Sequence, residues 1–170
     1  RPEEDGEVHG MSAMRVFVGI DLGSTTTKAV ILDENDAVVG RGITNSRSNY
    51  DVACDVVREE AFVRARFSLT DQRMREDESL RALSDTFLEA LERKFRQQQH
   101  LAQLGRLRMA MIANAGGLRH RDYAGALRSI IEEVSDRMVE RTYGHFREGV
   151  VRKSDFFRDL AQSDYMQLAE

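Results

Sequence analysis

Between Gly19 and Lys28 the chain reads Gly-Ile-Asp-Leu-Gly-Ser-Thr-Thr-Thr-Lys, which brings a carboxylate, a glycine turn, a run of hydroxyls and a lysine together. Asp21 ends an apolar run, where a carboxylate can face a ligand without disturbing a core. Gly23 permits a close backbone approach that a side chain would block. The amides of the turn after it can converge on one concavity and bind anionic oxygens. Ser24, Thr25 and Thr26 add hydroxyl donors at the same rim, and Lys28 adds a positive charge. Together these residues form a phosphate cradle. Asp21 is the residue to hold, through water, the magnesium that accompanies nucleotide phosphates.

The elements that must position these residues are strands. Arg15 to Asp21, Lys28 to Leu32 and Ala37 to Ile43 are short β-branched or apolar runs separated by polar turns, the pattern of an antiparallel meander. The first run is nearly apolar throughout, which predicts a central strand covered on both faces. The string is not a Walker loop, because G-x-x-x-x-G-K-[ST] is absent. It is not a Rossmann fingerprint either, because a strand and not a helix follows the turn. A bare β-hairpin with a Gly-Ser turn is the plain structural alternative.

Beyond Asn49 the period becomes helical. Val52, Ala53, Val56, Val57, Ala61 and Phe62 share a face, with Asn49 or Asp51 as N-cap. A second apolar stripe runs through Leu80, Leu83, Phe87, Leu88, Leu91 and Phe95. Leu107, Met109 and Met111 alternate as a strand would, yet they also continue that helix towards Gly116-Gly117, and helix is the expectation. Further helices fit Tyr123 to Met138 and, capped by Ser154 or Asp155, Phe157 to Ala161. Such single-face stripes are expected to bury a core.

Composition bounds the function classes. The 170 residues carry a net charge of −4, with 25 basic residues mostly scattered among acids on helical stretches. No basic face for nucleic acid results. No apolar run reaches the roughly 18 residues that a membrane span needs. Residues 1–13 read as a polar tail without the pattern of a signal peptide. Cys54 is the only cysteine, which excludes an internal disulfide and fits a reducing cytoplasm. It lies in a helical pattern and is expected to be a buried structural thiol. His9, His100, His120 and His145 are isolated and expected at the surface.

The string Gly19 to Lys28 resembles the first phosphate motif of the superfamily joining actin, sugar kinases and heat-shock ATPases. It is most similar to the ATPase subunits of benzoyl-coenzyme A reductase and the activators of 2-hydroxyacyl-coenzyme A dehydratases. The continuation LDENDAVVGRGITNSRSNYDVACDVVREEA, Leu32 to Ala61, looks like the larger of those ATPase subunits. KSDFFRDLAQSDY, Lys153 to Tyr165, is similar to the helical insertion that this subunit carries.

The resemblance implies an α/β fold: the antiparallel meander of an actin-like, ribonuclease H-like ATPase lobe over residues 14–66, then a largely helical insertion over 67–170. It implies ATP and magnesium as cofactors. Its partners are a second ATPase subunit, catalytic reductase subunits and ferredoxin. In that family ATP hydrolysis drives closure of two ATPase subunits around a shared [4Fe-4S] cluster and forces a low-potential electron towards an aromatic ring. Carried over by position, Asp21 is the magnesium-side carboxylate, and Gly23, Ser24, Thr25, Thr26 and Lys28 form the cradle.

A second phosphate motif, an adenosine-binding Gly-Gly turn and cluster cysteines are absent from this sequence. Gly116-Gly117 does not serve, since no acidic strand precedes it. The expectation is therefore half an ATP site on part of a longer subunit. A sugar-kinase-like small-molecule kinase and a non-enzymatic actin-like assembly lobe stay open beside it.

Overall fold

A computed structural model describes residues 14–46, 49–116, 121–152, 154 and 156–169. The polar tail at 1–13, the expected cap at Asp155, and His9 and His120 lie outside the described residues. The chain divides into two compact units, residues 1–85 and 86–170.

The first unit is a meander of three antiparallel strands in the order β1-β2-β3, with one long helix packed on it. The strands are β1 (Phe17–Leu22), β2 (Thr26–Leu32) and β3 (Val38–Asn45). The β2–β3 turn is organised by Asp33, whose carboxylate accepts from the amides of Asn35 and Ala37 at 2.8 and 2.9 Å. Asp36 takes the left-handed conformation there, at φ 60°. An irregularity in the ladder between Ile31 and Leu32 follows that turn.

Helix α1 (Tyr50–Glu76) starts where the cap chemistry predicts: the Asn49 side chain accepts from the Val52 amide at 3.1 Å. Its buried stripe is small, with Ala53, Val57, Ala61 and Ala65 four residues apart. Val57, Ala61 and Ala65 meet Ala29, Ile31 and Val39 in the core. Two glycines of β3 let the helix come this close. A Cβ on Gly40 would stand 2.3 Å from the Ala61 carbonyl oxygen, and one on Gly42 would stand 2.2 Å from that of Val57. The full burial of α1 stops at Ala65.

This arrangement corrects the expected place of the first strand. β1 is at the edge of the sheet, and Phe17, Val18, Ile20 and Leu22 are all exposed. The cause is where α1 lands. Gly40 and Gly42 draw the helix over β3 and β2, so β1 gains little cover from α1. A short helix α2 (Glu78–Arg81), capped by the Asp77 side chain, ends this part of the chain.

The second unit holds most of α3 (Ser84–Gly116), together with α4 (Ala124–His145) and α5 (Phe157–Ala169). A single 3-10 turn, Arg121–Tyr123, precedes α4. Residues 107–111 are helical throughout. Leu104, Met138 and Ala161 form the core of this unit, with Val134, Val139, Phe157 and Leu168 packed around it. Ser154 caps the approach to α5 by accepting from the Phe156 amide at 3.1 Å.

Two expectations fail here. Phe87, Leu91 and Phe95, predicted to line the buried face, are exposed. The buried side of α3 instead runs through Gln97, His100 and Leu104. His100 is therefore interior, 4% exposed, with its ring 4.9 Å from that of Phe157 and 5.8 Å from that of Phe146. His145 is half-buried and pairs through Nε2 with both oxygens of the buried Asp164 carboxylate at 2.9–3.0 Å. Burial lowers the His100 pKa below the ordinary 6.5; nearby His145 adds to this, and Asp164 opposes it.

Candidate functional site

The β1–β2 hairpin turns through Gly23, Ser24 and Thr25. Leu22 pairs with Thr27 and Asp21 with Lys28 across the ladder. Cα partners in an antiparallel pair carry their side chains on one face. Asp21 and Lys28 therefore share the face opposite α1, while Thr27 and Ala29 point into the core and are buried. Both charged side chains are exposed beside the turn. Gly19, two residues before Asp21, lies on the same open face, and a Cβ there would meet nothing within 4 Å.

The turn is closed by the Gly23 amide, which donates to the Thr26 carbonyl at 3.1 Å. A Cβ on Gly23 would sit 2.6 Å from that same oxygen, so the sequence needs glycine here for space. Two further carbonyls of the turn are also engaged. Gly23 O accepts from the Ser46 hydroxyl at 2.5 Å, and Thr25 O accepts from the Ser46 amide at 3.0 Å. Thr27 Oγ1 lies 2.8 Å from Ser46 Oγ, and both residues are fully buried.

The polarity of this turn is one-sided. The carbonyls of Gly23, Thr25 and Thr26 are bound to protein donors, whereas the amides and hydroxyls of Ser24 and Thr25 have no protein partner among the described residues. Unpaired amides on an exposed turn, with the neighbouring Gly23 and Thr25 carbonyls held by Ser46, suit an anion with several oxygens. A lysine beside them adds charge complementarity. An exposed carboxylate on the same face suits a hydrated divalent cation bound to that anion. The residues present thus fit one wall of a magnesium–nucleotide phosphate site.

The structure brings together Asp21, Gly23, Ser24, Thr25, Thr26 and Lys28, all named from the sequence. Sequence reasoning missed Ser46 and Thr27. Thr27 was legible as the inward-facing member of an alternating strand. Ser46 is 23 positions from Gly23, and only the β2–β3 register delivers it.

An iron–sulfur cluster does not fit this chain's residues. Cys54 is the sole cysteine, half-buried on α1, and no group of three metal-ligating side chains occurs among the described residues. No helix among them is long and apolar enough to cross a membrane. A cavity of about 350 Å³ opens in the helical unit between Leu104, Met111, Val134, Met138 and Phe157. It is walled by apolar groups and contains no residue of the Gly23–Thr25 turn.

Neither a search of curated proteins nor one of solved structures returned a match. The family model for the BadF/BadG/BcrA/BcrD ATPase family matches residues 18–143, from β1 through most of α4. That span begins on the strand that carries Asp21 and includes the whole turn. Its fold is the α/β meander of an actin-like ATPase lobe followed by helices. The chain therefore belongs to the BadF/BadG/BcrA/BcrD ATPase family, and ATP is the nucleotide that this membership assigns to it.

Proposed function

We propose that this chain is the ATP-binding part of the larger ATPase subunit of a benzoyl-coenzyme A reductase, a cytoplasmic complex. There, ATP hydrolysis drives a low-potential electron into the catalytic subunits that reduce the aromatic ring. The observation that carries the ATP half of the reading is the one-sided turn at Gly23–Thr25, with the Gly23 and Thr25 carbonyls tied down and the Ser24 and Thr25 amides open. The benzoyl-coenzyme A half is supported by the resemblance over Leu32 to Ala61 and Lys153 to Tyr165.

In this reading Gly23, Ser24, Thr25 and Thr26 cradle the phosphates and Lys28 offsets their charge. Asp21 orients water on the magnesium ion, which supplies charge neutralisation for phosphoryl transfer when bound. The ATPase lobe occupies residues 14–66, in keeping with the end of α1's buried stripe at Ala65. Residues 67–170 are the helical insertion. The exposed edge and faces of β1 are where the remainder of the lobe, with the opposing wall of the ATP site, packs. Cluster ligands come from outside this chain, and so do the second ATPase subunit, the catalytic subunits and ferredoxin.

The test is anaerobic reconstitution of the full subunit with its co-expressed partners. Benzoyl-coenzyme A is expected to trigger ATP-dependent oxidation of a reduced low-potential dye, and Asp21→Asn to abolish it. The 170-residue chain alone is expected to turn over ATP weakly or not at all. Transfer of the γ-phosphate to a sugar or polyol, with no response to benzoyl-coenzyme A, would contradict the proposal.

A further inference from the structure

We infer that Ser46 is the positioning residue of the phosphate turn: it fixes the peptide planes whose N–H groups meet the bound polyphosphate. The inference rests on the reading of that turn as the ATP phosphate site.

Ser46 makes two bonds to the turn from one residue. Its hydroxyl donates to Gly23 O at 2.5 Å and its amide to Thr25 O at 3.0 Å, so the two engaged carbonyls flank Ser24. A hydroxyl carries one proton. With that proton on Gly23 O, the 2.8 Å contact between Thr27 Oγ1 and Ser46 Oγ must run from the threonine hydroxyl to the serine oxygen. The result is a directed relay from Thr27 through Ser46 to the Gly23 carbonyl. Thr27 is 0% exposed and Ser46 1%, so water does not compete for these groups.

A peptide unit is planar and trans, and its C=O and N–H point in opposite directions. Holding Gly23 O towards Ser46 therefore turns the Ser24 N–H away from Ser46. Holding Thr25 O does the same for the Thr26 N–H. The relay also withdraws electron density from the Gly23 carbonyl, because hydrogen bonds in a chain polarise one another. The Ser24 N–H, in the same amide, becomes the stronger donor to an anion. Without the Ser46 hydroxyl, Gly23 O loses its buried partner and the peptide is free to rotate a lone pair towards the phosphate.

The experiment measures binding of magnesium tripolyphosphate and magnesium–ATP to the whole chain by calorimetry, for wild type, Ser46→Ala, Ser46→Cys and Thr27→Val. Ser46→Ala is expected to weaken both ligands by about tenfold or more. Ser46→Cys keeps the volume with a weak donor and is expected to fall between wild type and Ser46→Ala. Thr27→Val keeps the Ser46-to-Gly23 bond and is expected to lose about threefold at most. A purely structural role would scale with stability, so melting temperatures are recorded beside the affinities. In addition, the apo Ser24 amide proton is expected to move upfield in Ser46→Ala.

Folded Ser46→Ala or Ser46→Cys that binds both ligands like wild type overturns the inference. So do losses that track melting temperature equally in Ser46→Ala and Thr27→Val. If wild type itself binds neither ligand, the phosphate reading fails first and the inference falls with it.

Discussion

Asp21 and Lys28 are directly opposed across the β1–β2 ladder and rise from the same open face of the sheet beside the Gly23–Thr25 turn. In the proposed function their charges act on different parts of a magnesium–nucleotide: the carboxylate on the cation, the ammonium on the phosphates. Asp21→Asn is therefore expected to weaken magnesium–ATP binding by about tenfold, while ATP without magnesium binds no worse, since a negative charge has gone. Lys28→Ala is expected to weaken both forms. Calorimetric titrations with and without magnesium separate the two patterns.

Gly23 is the position where space is tightest in the turn. Gly23→Ala puts a methyl 2.6 Å from Thr26 O, which must move and take the Gly23-to-Thr26 closing bond with it. The expected result is loss of ATP affinity by about tenfold or more with a stability change of only about 1 kcal/mol, because the turn is on the surface. A fluorescent ATP analogue and a urea midpoint check the two halves. Affinity that is unchanged would mean that the turn does not touch the phosphates.

The closeness of α1 to β3 gives a prediction about folding alone. Gly42→Ala would force a Cβ to within 2.2 Å of Val57 O and 3.0 Å of the Ala61 nitrogen, both backbone atoms. The helix must lift off the sheet, at a cost of about 3 kcal/mol or more. Gly19→Ala, which meets nothing within 4 Å, is the control and is expected to change stability by less than about 1 kcal/mol. Denaturant midpoints of the two variants decide the point.

His100 makes stability depend on pH. Its folded-state pKa lies below 6.5, because burial between Phe146 and Phe157 and the nearby His145 disfavour the imidazolium more than Asp164 favours it. The unfolded chain therefore takes up the proton first. The stabilisation is full above pH 6.5 and is lost as pH falls from there through the folded-state value. Thermal melts between pH 7.5 and 5 are expected to show a fall that His100→Phe flattens. An equal fall in both proteins would assign the effect to other groups.

Much of the site was legible because its signals are local. Glycine and hydroxyls between two apolar runs mark a hairpin, and Asn49 before a helical period marks a cap. The place of β1 was not legible, because an apolar strand looks the same whether or not a layer covers it. What decides is the pair Gly40 and Gly42 on another strand, which settles where α1 lies. Ser46 was missed for a similar reason: its partner Gly23 is set by register and not by neighbourhood. His100 sits in a polar stretch, yet it lies four residues before Leu104 on the buried side of α3. That spacing was present in the sequence but was outweighed by the more apolar stripe of Phe87, Leu91 and Phe95, which the fold leaves exposed.

In the proposed function the amides of the Gly23–Thr25 turn receive the phosphates of ATP. The most direct measurement is an amide-resolved NMR titration of the 170-residue chain with magnesium–ATP. The largest shifts are expected on Ser24, Thr25 and Thr26, with magnesium tripolyphosphate reproducing them and Asp21→Asn reducing them. Saturating magnesium–ATP that leaves residues 23–28 unmoved, or moves only residues of the helical unit, would contradict it.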